Sequence, residues 1–268
     1  MLVDTHCHIN MMVKKSFDIL LTPEEISAAQ LIVKQAHARN VDTIINVGTS
    51  VIESKNCIAL AQNYDSIFAV IGIHPNDLTN NWKKDLAELN LFLKQKEKNK
   101  IVGIGECGLD FHYPDYNIQQ QKDAFKAQIE LALEHALGLV VHTRQAPDET
   151  LRVLEEFKGD ISNGIIHCFS EDQNFATTVI EWGFVIGIGG TITYPKNNYL
   201  RDIIKTVKLQ SIVLETDAPF LPIQEMRGKQ NHPQYIFNIA EYIAQLRNEP
   251  FETVANQTTN NAKQIFKI

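Results

Sequence analysis

Eight short apolar runs recur along the chain, each followed by a longer amphipathic stretch, and this alternation constrains the fold more than any other feature. The runs are Leu2–Thr5, Val41–Val47, Ile67–Ile73, Ile101–Gly105, Gly138–Val141, Gly164–Ile166, Phe184–Ile188 and Ile212–Leu214. They are apolar on both faces rather than alternating, as parallel strands covered by helices must be. The intervening stretches read as helices. Thr22-Pro23-Glu24-Glu25 offers an N-cap, a proline at the first helical position and a reciprocal Glu. Ser50–Glu53 and Ser170–Gln173 read as two more capping boxes, and Phe125, Ile129, Leu133 and Ala136 recur at helical spacing within 117–137. Two helical patterns, over about 233–247 and 250–265, end the chain.

Strict strand–helix alternation over 268 residues predicts an α/β fold, a (β/α)8 TIM barrel forming a single domain over 1–268. A doubly wound open sheet is the competitor. No GxGxxG follows an early strand, which disfavours dinucleotide binding. No linker, low-complexity segment or internal repeat interrupts the pattern.

Twenty-five basic against 32 acidic side chains leave a formal net charge of -7, which excludes a whole-surface electrostatic grip on nucleic acid. A local phosphate site remains open. Cys7, Cys57, Cys107 and Cys168 are widely spaced and form no CxxC pair, the usage of a reduced protein with buried thiols. Asp4 and His6 interrupt any apolar leader, and no stretch approaches the ~20 apolar residues of a membrane span. A soluble cytoplasmic protein with no membrane partner is therefore expected; a monomer is compatible with this reading, and the sequence leaves the oligomeric state open.

The nine histidines are not scattered evenly. His6 and His8 end strand one, His74 strand three, His142 strand five and His167 strand six, while Glu106 ends strand four and Asp217 follows strand eight. In a barrel all these ends meet at the C-terminal rim, where active sites are built. One histidine at a strand end is usually structural. Five converging there with two carboxylates predict a metal site. His6 and His8, two apart on an extended chain, point the same way and can reach one ion. The same alternation turns Cys7, Cys107 and Cys168 away, toward the helix layer. His37 and His135 fall inside helices; His112 and His232 fall in loops that could line the mouth.

Imidazole and carboxylate donors suit zinc, manganese and similar divalent ions. Six donors, His6, His8, Glu106, His142, His167 and Asp217, are too many for one open catalytic zinc. They match two divalent ions (Zn, Mg or Mn) sharing a carboxylate, which at ~3.5–4 Å separation can hold both oxygens of a displacement. Asp217 is the candidate to take a proton from the attacking water.

Six segments occur in the order seen in TatD-type metal-dependent hydrolases. They are Asp4-Thr-His-Cys-His8, Gly72-Ile-His-Pro75, Gly105-Glu-Cys-Gly-Leu-Asp110, His142-Thr-Arg144, His167-Cys-Phe-Ser170 and Glu215-Thr-Asp-Ala-Pro219. The tail Thr259-Asn-Asn-Ala262 with Ile265-Phe266 is also similar to that family's terminal helix. The resemblance covers essentially the whole chain. It implies hydrolysis of phosphodiester bonds, as in deoxyribonucleases, some of which remove nucleotides 3′–5′ from single strands. By the resemblance, His6, His8, Glu106 and Asp217 hold one metal, and Glu106 bridges to a second held by His142 and His167. His74 is placed to meet the scissile phosphate. Arg144 is a phosphate-binding guanidinium or else a structural salt-bridge partner. The implied partner is an end of single-stranded DNA or RNA. One departure stands out: the family places a base where this chain has Gln230 and an acid where it has His232, which weakens the expected grip on a long strand.

Two other functions are compatible with a histidine-rich rim. One is an amidohydrolase-type enzyme acting on a small amide or ester; two-metal enzymes of that kind often bridge their ions with a carboxylated lysine at strand four, where this chain has Glu106. The other is a barrel that binds metal or a partner without turnover.

Overall fold

The computed structural model describes residues 1–14 and 16–268. Eight strands form one parallel sheet in chain order: β1 (Leu2–Cys7), β2 (Val41–Val47), β3 (Ile67–Ile71), β4 (Ile101–Asp110), β5 (Gly138–Arg144), β6 (Gly164–Ile166), β7 (Phe184–Ile188) and β8 (Ile212–Leu214). The ends meet: Cys7 bridges Ala218 in parallel, His8 N–H donates to the Ala218 carbonyl at 2.7 Å, and Asp217 N–H to that of His6 at 2.8 Å. The sheet is thus a nearly closed TIM barrel, as the alternation predicts, and the open doubly wound sheet is excluded. Between strands run α1 (Ile9–Met12) and α2 (Pro23–His37), α3 (Val51–Asn63), α4 (Trp82–Leu93), α5 (Ile118–His135), α6 (Pro147–Glu155), α7 (Gln173–Glu181) and α8 (Asn198–Thr206); α9 (Ile236–Arg247) and α10 (Phe251–Phe266) follow β8. Among the described residues no helix is long and apolar enough to cross a membrane.

Four strands differ in length from the sequence reading. β1, β4 and β5 continue past Thr5, Gly105 and Val141, so His6, Glu106 and His142 lie within strands rather than just beyond them. β3 stops at Ile71. The capping box at Thr22 forms in full. At Ser50 only half of it forms: the hydroxyl accepts from Glu53 N–H, but the Glu53 carboxylate turns inward. At Ser170 none forms; the cap of α7 is Asp172, whose carboxylate accepts from Phe175 N–H at 2.9 Å.

Two apolar layers hold the barrel. The inner one draws Val3, Ile45, Val47, Val70, Val102, Val140, Ile165 and Val213 from the strands, with Val185 packed against them. Among the described residues only α10 of the helices joins it, through Ala262, Ile265 and Phe266, so the last helix closes the barrel floor. The outer layer lies between strands and helices and includes Cys7 and Cys107, as expected for thiols turned from the rim; Cys168 is not part of it.

Glu53 turns inward to meet a buried cation. It accepts from Lys14 Nζ in a short ion pair, from Asn10 Nδ2 at 2.8 Å and from Asp18 N–H at 2.9 Å, tying the segment after β1 to α3. Burial alone would raise its carboxyl, but the Lys14, Asn10 and Asn56 hydrogen bonds win and hold it below the ordinary value of 4.5. Glu53→Gln leaves the Lys14 ammonium buried without a counter-charge and is expected to cost about 3–5 kcal/mol in urea unfolding at neutral pH. Because the folded value is depressed, this stabilisation is present above about pH 4.5 and is lost as pH falls through the lower folded value. The gap between wild type and variant should therefore narrow in acid.

Candidate metal centre

The rim site depends on a break in strand regularity. Val3 belongs to the inner layer and Cys7 to the outer one, although residues four apart in a regular strand share a face. A register shift between Asp4 and Cys7 reverses the phase and turns His6 and His8 inward. A second shift, between Ile104 and Cys107, does the same for Glu106. Asp4, fully buried, anchors the first: its carboxylate accepts from the N–H groups of Thr216 (2.9 Å) and His6 (3.3 Å), joining β1 to the segment after β8. Gly108 sits at φ 139°, in the left-handed half of the map, and a Cβ there would lie 2.0 Å from the His142 carbonyl oxygen. Only glycine lets β4 pass β5 this closely.

Glu106 stands between two groups of donors. Its Oε2 faces His6 Nε2 at 3.4 Å and His8 Nε2 at 3.8 Å, and Asp217 Oδ1 lies 3.4 Å from His8 Nε2 and 3.8 Å from His6 Nε2. Its Oε1 faces His142 Nδ1 and His167 Nε2, each at 2.8 Å, with His74 Nε2 at 3.5 Å. The six residues expected to hold metal are thus brought together, and His74 joins them. Burial alone would raise the Glu106 carboxyl, but the surrounding imidazoles, His167 first, hold it well below the ordinary range. Asp217 follows the same pattern, with His8 as the main opposing partner. Its backbone, at φ 57°, occupies the left-handed region that aspartate tolerates better than most residues.

These atoms suit divalent cations. His6 and His8 turn Nε2 toward one another at 3.1 Å, an approach two lone pairs make only with a proton or cation between them. His8 Nδ1–H donates to the Val47 carbonyl at 2.8 Å, which leaves Nε2 as its donor atom. Ligand atoms within 4.8 Å of one another form the sets His6–His8–Glu106 and Glu106–His142–His167, and no set among the described residues contains a cysteine. Imidazole and carboxylate match zinc, manganese or magnesium-type chemistry.

Residues 3–267 match the model of the TatD related DNase family. The chain belongs to this family. A metal-dependent hydrolase named YabD from Bacillus subtilis (strain 168) is 34% identical over 268 residues, covering 100% of both chains. The 3′–5′ ssDNA/RNA exonuclease TatD of Pantoea ananatis (strain LMG 20103) is 31% identical over 261 residues, 94% of this chain and 99% of that one. Among solved structures, the TatD homologue YjjV of Escherichia coli K12 superposes with a TM-score of 0.90 at 30% identity, covering 100% of this chain and 98% of that one. This TatD-family barrel is accordingly a metal-dependent hydrolase.

Other residues singled out in the sequence fall at or beyond this cluster. Burial pushes the His74 imidazole down to about 3, so it is neutral, and its Nδ1 accepts from Asn76 N–H at 3.1 Å. The ring hydrogen therefore sits on Nε2, the atom facing the cluster. Arg144 is exposed at the end of β5, its guanidinium 5.9 Å from the Tyr113 ring. Among the described residues no carboxylate pairs with it, so the salt-bridge alternative is not realised. Gln230 is exposed; the His232 ring, pushed down to about 4 by burial, is neutral and restores no positive charge.

Two carboxylates that stand in the sequence only as letters of the family segments, Asp110 and Glu215, have evident positions here. Asp110 Oδ2 lies 3.3 Å from His142 Nε2, orienting the ring whose Nδ1 faces Glu106. Glu215, fully buried, accepts from Cys168 N–H and lies 3.7 Å from His167 Nδ1, a buried atom with no other partner. A Cβ at Gly187 would lie 2.2 Å from its Oε2, so this glycine makes the carboxylate's room. For Glu215, a charged residue directly continuing a fully buried strand is the available signal.

Proposed function

We propose that the chain is a two-metal phosphodiesterase acting on ends of single-stranded DNA or RNA. The observation that carries this reading is Glu106, which turns one oxygen to the His6–His8–Asp217 group and the other to the His142–His167 group. A shared carboxylate flanked by two donor sets is the arrangement of a two-ion site. Divalent ions bound there supply Lewis acidity toward the phosphoryl oxygens and make a nearby water more acidic.

The side chains divide the remaining work. Asp217 turns Oδ1 to the histidine pair and receives the water's proton on Oδ2 as the water oxygen attacks phosphorus. His74, neutral with its hydrogen on Nε2, donates to a phosphoryl oxygen without adding charge. Arg144, exposed on the rim, holds a neighbouring phosphate. The bond from phosphorus to the neighbouring sugar oxygen then breaks, and that oxygen takes a proton from solvent. With a body of net charge -7 and neutral residues at Gln230 and His232, binding is confined to the rim, so cleavage proceeds from strand ends.

Metal-reconstituted protein should shorten a 5′-labelled single-stranded oligonucleotide stepwise from its 3′ end, and a chelator should stop it. Duplex coating should be weak, with little salt dependence. Hydrolysis of simple amides or carboxylic esters with no cleavage of any phosphodiester would replace this reading by the amidohydrolase one.

A further inference from the structure

Beside His74 the rim opens into a groove of about 570 Å³, a size typical of small-molecule sites. His74 lines both this groove and the donor cluster, so the groove begins at the reacting atoms. Its chemistry differs from that of the cluster. Among the described residues no lysine or arginine lines it, and the carboxylates of Asp77 and Asp115 do, so it repels phosphate. What it offers is aromatic faces and amides. Tyr113 and Tyr116 are 52% and 40% exposed, large apolar rings left open to solvent. Tyr116 is backed by Phe111, the rings parallel within 15° at 4.5 Å, which holds its ring in place.

Three amides are oriented by contacts of their own. Asn76 Nδ2 donates to Asp110 at 2.8 Å, which leaves Oδ1 for a ligand. Gln120 Nε2 donates to the Thr79 carbonyl at 2.9 Å and leaves Oε1. Asn117 Oδ1 accepts from Gln120 N–H at 3.1 Å and leaves Nδ2. Two acceptors and a donor around aromatic faces suit a planar, uncharged heteroaromatic ring with amino and carbonyl groups on its edge.

We propose that this groove is a nucleobase subsite, in which Tyr113 and Tyr116 stack the base of the nucleotide joined to the scissile phosphate and Asn76, Asn117 and Gln120 meet its edge. The proposal rests on the phosphodiesterase reading for the phosphate but not for the base. Arg144, within 5.9 Å of the Tyr113 ring, marks where the phosphate end passes into the base end.

The test measures kcat/KM on a short oligonucleotide and on the same strand with an abasic terminal nucleotide, for wild type, Tyr116→Ala and Tyr116→Phe. Stacking on one aromatic side chain corresponds to about a 5- to 150-fold effect. Wild type should prefer the base-bearing strand by a factor in that range, Tyr116→Ala should lower the preference about fivefold or more, and Tyr116→Phe should restore it. A preference that Tyr116→Ala leaves unchanged overturns the subsite. A second arm needs no turnover: calorimetric binding of deoxyadenosine 5′-monophosphate and of deoxyribose 5′-phosphate to metal-loaded protein. Tighter binding of the nucleotide, lost in Tyr116→Ala, supports the subsite even if no oligonucleotide is cleaved, in which case the hydrolytic reading alone falls. Equal binding of the two ligands overturns the subsite whatever the turnover.

Discussion

Asp217→Asn should lower oligonucleotide cleavage by about 10²- to 10⁴-fold, the range expected when a general base is lost. The substitution keeps the shape of the side chain and its Oδ1 but removes the charge and the proton-accepting oxygen. Its environment explains the size of the effect. Burial would raise the carboxyl, yet His8 and His6 keep it below the ordinary carboxylate value, so at neutral pH it is ionised and ready. It sits on the segment that closes the barrel, its N–H bonded to the His6 carbonyl at 2.8 Å. A variant that keeps its metal content and loses turnover identifies Asp217 with proton transfer. Equal cleavage by wild type and variant would remove Asp217 from the mechanism.

Glu106→Gln should affect both metal content and activity. Changes to residues that merely orient ligands cost about 10- to 100-fold in metal affinity or activity, so an oxygen pair shared by both donor groups sets that range as a floor. The amide offers only one oxygen to two groups and turns an N–H₂ toward imidazole nitrogens that need a negative neighbour. Metal analysis after gel filtration should show fewer bound ions per chain, and added metal should raise the melting temperature less than in wild type. Full metal occupancy in Glu106→Gln would show that the carboxylate does not bridge. The two variants are complementary: Asp217→Asn keeps Oδ1 for one donor group while removing the base, whereas Glu106→Gln removes the link between the two halves of the site.

Much of the molecule was legible from local pattern. Runs apolar on both faces are a local property of covered parallel strands, and the caps at Thr22 and Ser50 are written within four residues. The positions of His6, His74, Glu106, His142 and His167 near strand ends placed the donors on one rim without any distance being known. Less legible was everything that depends on where separate segments meet. The reciprocal half of the Ser50 cap fails because Lys14, 39 residues earlier, attracts the Glu53 carboxylate. Asp110 and Glu215 were invisible as individuals because their partners, His142 and His167, lie 32 and 48 residues away. The base-binding groove joins the loop after β3 to the loop after β4, and neither segment alone has an unusual composition.

The sequence by itself determined the order of elements, the choice of a barrel and the chemistry of the donor set, because periodicity and side-chain type act locally. Tertiary structure decided how those donors face one another. Alternation makes His6 and His8 neighbours on one face and sets Cys7 opposite them, but on its own it does not carry that phase over from Val3. Val3 and Cys7 would share a side in a regular strand, and the register shift between Asp4 and Cys7 separates them. A bulge places two residues opposite one on the neighbouring strand, so it becomes visible only once the strands are paired. That single irregularity, repeated in β4, is the physical reason that His6, His8 and Glu106 point into the mouth instead of the helix layer.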